Sequence, residues 1–166
     1  AMGTMIQNAD LSPEDFGGEE YDGCNEYLNI VKPDVIEHVH REYLAAGADI
    51  ICTNTFGGTP VVLNEYDLGA QAHDINFRAA QLAKICADQF STSDWPRFVA
   101  GAIGPTTKTL SVTGGITFDE LTNDFYVQAK ALVEGGVDVI LLETSQDMLN
   151  VKAATIGIKQ AFEELK

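Results

Sequence analysis

The sequence predicts an α/β protein built on a parallel sheet, and three observations lead to that class. Residues 48–54, 98–104 and 137–144 are short, apolar and rich in β-branched side chains, so they read as strands that are apolar on both faces. A helical stretch follows each. The repeat of strand plus helix is roughly 40 to 50 residues, long enough for a crossover that returns the chain in the same direction.

Taken in order, the elements carry their own punctuation. Ser12-Pro13-Glu14-Asp15 ahead of Gly17-Gly18 predicts one short helical turn in an early loop. Pro33 sits where a first helical turn begins, and Val35, Ile36, Val39, Tyr43 and Leu44 share one face. Gly47 supplies the stop, and the chain then enters the first strand. Thr117 with Glu120 forms a capping box that opens a helix ending near Gly135-Gly136.

The 166 residues are 45% hydrophobic and 21% charged, enough to bury a core, and no Pro-rich or Ser-rich linker divides them. One unit covering residues 1–166 is expected. Twenty-five acidic against ten basic side chains give a formal charge of −15, which repels nucleic acid and anionic membrane surfaces alike. The longest apolar run is far short of the roughly 20 residues that cross a bilayer. Cys24, Cys52 and Cys86 are odd in number and widely spaced, which fits a reduced, cytoplasmic setting.

In a parallel α/β arrangement ligands bind beyond the carboxyl ends of the strands. That places interest on residues 53–56, 104–107 and 143–145. Glu143 closes an apolar run, so its carboxylate emerges at the sheet rim in need of a cation. A substrate ammonium satisfies that need, and so does an internal salt bridge or helix cap. Asn54 and Thr55 either bond a polar substrate or simply end the strand. The Gly-rich loops match neither a Walker pattern nor G-x-G-x-x-G. His38 and His40 lie two apart on a helix and point to different sides, and His73 stands alone. Cys52 and Cys86 read as small buried hydrophobes, Cys24 as the cysteine with a route to solvent. No C-x-x-C pair is present for zinc.

As an ordered set, residues 1–7, 47–56, 99–106, 116–119, 131–136 and 142–144 with 150–154 resemble the homocysteine S-methyltransferase family. Among its branches the homocysteine-binding modules of cobalamin-dependent methionine synthases are the most similar. The resemblance implies a (β/α)8 TIM barrel, of which this chain is a partial barrel covering about the first four β/α units. It implies that Glu143 receives the ammonium group of homocysteine and that backbone amides of Met2 and Gly3 lie near its carboxylate. Asn54, Thr55 and Gly104 line the pocket on the same reading.

The family also uses zinc, which takes the substrate sulfur as a thiolate, and methylcobalamin, which supplies the methyl group. In the family an Asp-Gly pair precedes the Ala-Met-Gly-Thr segment, and the zinc-binding cysteines lie in later strands. Neither feature is found between Ala1 and Lys166. The resemblance therefore implies zinc and cobalamin for the full-length protein, with zinc ligands and catalytic residues outside this chain. It also implies cobalamin and folate modules as partners, and self-association through exposed barrel edges. Two further readings stay open: a cobalamin-independent transferase using betaine, S-methylmethionine or S-adenosylmethionine, and an inert half-barrel.

Overall fold

A computed structural model describes residues 2–110 and 114–166. Three strands, β1 (Ile50–Cys52), β2 (Phe98–Ile103) and β3 (Val139–Leu142), form a parallel sheet in the order β1-β2-β3 among these residues. Short helices α1 (Met2–Gln7) and α2 (Leu28–Val31) precede the long α3 (Pro33–Ala45), which leads into β1. A single turn, α4 (Pro60–Leu63), and then α5 (Ala72–Phe90) connect β1 to β2. Helix α6 (Phe118–Glu134) connects β2 to β3, and α7 (Met148–Glu164) follows β3. The described residues thus hold three β/α units where about four were expected, because the chain ahead of β1 is helical.

The punctuation read from sequence is found at each predicted site. Gly47 takes φ +100, a conformation that only glycine adopts without strain, and frees the chain to turn from α3 into β1. Residues Pro13–Phe16 form a 3-10 turn closed by Gly17. At α6 the Thr117 hydroxyl accepts from the Glu120 backbone N–H at 3.2 Å while the Glu120 carboxylate accepts from the Thr117 N–H at 2.8 Å. That reciprocal pairing is the capping box.

Register decides which side of the sheet is covered. Ile51 pairs with Val99, and Gly101 with Ile140, so these residues face α5 and α6. Ile103, Leu121, Phe125, Leu132 and the alanines of α7 close the largest core cluster there. Gly157 lets α7 approach α6: a methyl group at that position would lie 2.5 Å from the Thr122 carbonyl. On the other side Ile50, Cys52, Phe98, Val139 and Leu141 are exposed, against the expectation of strands buried on both faces. Apolar composition on both faces shows that both are suited to burial, and within this chain helices cover one of them.

Two cysteine assignments are reversed by the same geometry. Cys52 is exposed because it points to the open face of β1. Cys24 is fully buried, packed with Leu63, Leu68, Ala72 and Ile75 under a lid of tyrosines. Loop position suggested access to solvent, but the loop folds back as 3-10 turns over α5. Cys86 is buried as expected. His73 also has a partner: its Nε2 lies 2.7 Å from the Glu134 carboxylate of α6.

His40 faces inward from α3, 1% exposed, with Nε2 lacking a hydrogen-bond partner. Burial pushes its imidazole pKa down from 6.5 to about 4. Between those values the unfolded chain takes up a proton that the folded chain refuses, so stability falls as pH drops from 6.5 toward 4. At about 1.4 kcal/mol per pKa unit the full loss is on the order of 3 kcal/mol. Urea unfolding at neutral and mildly acid pH checks this, and His40→Gln is expected to flatten the dependence. An equal slope in the variant would reject His40 as its source.

Candidate functional site

The sheet's upper rim carries a cleft of about 410 Å³. Parity along β3 explains its chemistry: Val139 and Leu141 face the open side, so Glu143, two residues on, does too. The Glu143 backbone N–H donates to the Ile103 carbonyl at 3.0 Å, which holds the residue at the end of the parallel ladder. Thr144, next in the chain, has φ +60. For a β-branched residue this left-handed conformation costs about 1–3 kcal/mol, and it turns the backbone away from the strand directly after the carboxylate.

Glu143 shares the cleft with Met2 and Gly3 of α1, with Cys52 and Ala102 on the open face of the sheet, and with Thr53, Asn54, Thr55 and Phe56 after β1. Asn25 and Glu26 complete the wall. Five of the six residues predicted to bind substrate therefore meet in one place. Gly104 stands one layer behind. Its N–H donates to the Phe56 carbonyl at 3.0 Å, and a Cβ there would fall 2.6 Å from that oxygen, so glycine is what allows the Phe56 backbone to sit against the end of β2.

The loop after β1 is clamped on several sides by uncharged side chains. The Asn29 amide donates to the Asn54 carbonyl at 2.8 Å, and the Asn54 amide donates to the Asn25 carbonyl at 2.6 Å. The Thr55 hydroxyl donates to the Ala102 carbonyl at 2.7 Å. From behind, Gln128 of α6 donates to the Thr55 carbonyl at 2.7 Å, and Asn76 of α5 donates to the Gly58 carbonyl at 2.7 Å. The Asn54 amide and Thr55 hydroxyl are thus engaged in positioning the cleft wall. Beyond β2, the Asn150 amide of α7 donates to the Thr106 hydroxyl at 2.8 Å.

Glu26 was missed in the sequence, where it reads as one polar residue in a polar loop. In the structure it lies in the cleft wall, accepting from the Gly57 N–H at 2.7 Å, and burial pushes its carboxyl above the usual carboxylate range. A carboxylate followed shortly by an amphipathic helix was the available signal, and it is a weak one.

Across residues 1–165 the chain matches the profile of the homocysteine S-methyltransferase family. The chain belongs to that family. It is 42% identical over 162 residues to the methionine synthase of Mycobacterium leprae (strain TN), spanning 98% of this chain and 13% of that protein. The chain therefore spans a small part of the relative's length. Two crystal structures of the homocysteine methyltransferase MmuM from Escherichia coli share its fold. The metallated form superposes with a TM-score of 0.78 at 20% identity, over 98% of this chain and 58% of the other. The oxidized form gives a TM-score of 0.78 at 19% identity, over 98% and 57%.

Membership in the homocysteine S-methyltransferase family raises the matter of zinc. Among the described residues no three His, Cys, Asp or Glu side chains converge on a point. The cysteines are also poor thiolate sources. Burial pushes Cys24 up to about 11 and raises Cys86, while Cys52 is raised by burial and by the negative charge of Glu143. The donors present do not fit a zinc ion. What the cleft offers, among the described residues, is a set of hydrogen-bonding groups and two carboxylates, with no Lys, Arg or His in its lining.

Proposed function

We propose that this chain is the N-terminal part, residues 1–166, of a homocysteine-binding barrel in a methionine synthase, and that the rim cleft holds the amino-acid end of homocysteine. The observation that carries the reading is Glu143 at the end of β3, opening into the cleft with no ion-pair partner among the described residues. A substrate ammonium supplies the missing charge. Backbone amides of Met2 and Gly3, which also line the cleft, serve the carboxylate. Asn54, Thr55 and Gly104 shape the pocket through the loop they hold.

On this reading the chain is a partial (β/α)8 barrel. The open sheet face and the free edges of β1 and β3 receive the remaining strands, which bring the zinc ligands. Cobalamin and folate modules would be carried elsewhere in the longer protein, and the isolated chain would self-associate through the same edges. No described helix is long and apolar enough to cross a membrane, and three unpaired cysteines suit a reducing cytoplasm.

The complete gene product tests the proposal. Methyl transfer to homocysteine from methylcobalamin, and none from betaine, S-methylmethionine or S-adenosylmethionine, is the expected pattern. Transfer from one of those three donors alone would assign the chain to a cobalamin-independent branch. No transfer from any donor would remove the proposal.

A further inference from the structure

We propose that Phe56 sets the chain-length selectivity of the rim cleft: its ring is the surface on which the methylene groups of a straight-chain amino acid lie while Glu143 holds the ammonium. The inference rests on the reading of the cleft as the amino-acid pocket. Phe56 lines the cleft and is 44% exposed, although the loop that carries it is clamped on both sides, at the Thr55 carbonyl and at the Gly57 N–H. The Phe56 carbonyl is itself held by the Gly104 N–H at 3.0 Å.

Register places the ring beside the carboxylate. Ala102 pairs with Leu141 and Ile103 with Leu142, and the bond from the Glu143 N–H to the Ile103 carbonyl carries the ladder one step further. Gly104 and Glu143 are therefore neighbours at adjacent strand ends, about 4.8 Å apart, and by parity both belong to the open face with Ala102 and Leu141. A Cβ at Gly104 would fall 2.8 Å from the Phe56 Cδ2 and Cε2 atoms. The ring thus fills the space that a side chain at position 104 would take, next to Glu143. So constrained a backbone fixes where the ring stands, yet leaves much of its surface to water. Covering that surface is favourable, and a ligand whose ammonium sits on Glu143 carries its first methylene groups within reach of it. An acid flanked by an open aromatic surface suits a ligand that is charged at one end and unbranched and apolar beyond it.

The experiment measures alanine, 2-aminobutyrate and norvaline as competitive inhibitors of methyl transfer to homocysteine by the complete gene product. Each added methylene is expected to lower Ki about fourfold, so the series spans about 15-fold. Phe56→Ala is expected to shrink that span to about fourfold or less, and Phe56→Leu, which keeps an apolar surface, to retain most of it. A merely distorted loop would raise all three Ki values alike and leave the span intact, and that result would overturn the inference. A flat series in the wild type, or equal loss of the span in the Ala and Leu variants, would overturn it too. If Glu143→Gln weakens all three inhibitors while Phe56→Ala leaves the span unchanged, the pocket reading survives and the role of Phe56 fails. If none of the three competes with homocysteine, or Glu143→Gln changes no Ki, both fail together.

Discussion

Glu143→Gln in the complete protein is expected to raise the KM for homocysteine about 10- to 100-fold. The side chain ends an apolar strand, opens into the cleft and lacks an ion-pair partner among the described residues. A hydrogen bond between charged groups contributes about 1.5–3 kcal/mol. Replacing the carboxylate by an amide of the same size removes the charge while leaving the backbone bond to Ile103 in place. Steady-state kinetics on purified variant and wild type provide the comparison. A KM within twofold of wild type would mean that Glu143 serves the fold and that the ammonium is bound elsewhere.

Phe125→Ala should cost about 3–5 kcal/mol, the usual price of removing a large aromatic side chain from a packed core. Phe125 is fully buried in the centre of α6, and it packs with Leu121, Ile103 and the small residues of α7. The helices cannot easily close over the space, because Gly157 already brings the two backbones into contact with Phe125 and Tyr126. Domains are stable by about 5–15 kcal/mol, so the variant gives up a large fraction of that margin. Its Tm should drop by about 10 °C or more. Denaturant titration would show the loss as a lower midpoint at the same slope, and a loss below about 1 kcal/mol would contradict the packing described.

How much of this was legible beforehand differs by residue. Local rules found the helix over Pro33–Ala45, the stop at Gly47 and the Thr117–Glu120 box, because each depends on neighbours within one or two turns. Position at the end of an apolar run put Glu143 at the rim, and Asn54 and Thr55 directly follow a strand, whereas Met2 and Gly3, on α1, were reached only through the family resemblance. Long-range folding hid the rest. Cys24 is buried because 3-10 turns fold over α5, a contact between distant parts of the chain with no periodic signature. The exposure of Cys52 depends on which face of the sheet the helices cover, and composition was apolar on both. Glu26 could not be singled out from its loop, since its place in the cleft lining and its bond to the Gly57 N–H are created by the tertiary arrangement alone.

The clamps around the loop after β1 have a practical consequence. Apart from Glu26, the groups that hold it are amides and hydroxyls, which neither titrate in ordinary buffers nor respond to ionic screening. A change of ionic strength should therefore leave the shape of the recess alone and act on its two acids and on the ligand itself. Titrating affinity against added electrolyte at fixed, near-neutral pH would then read out recognition, undistorted by rearrangement of the scaffold beneath it, whereas acidification also acts on the Glu26–Gly57 clamp and on His40.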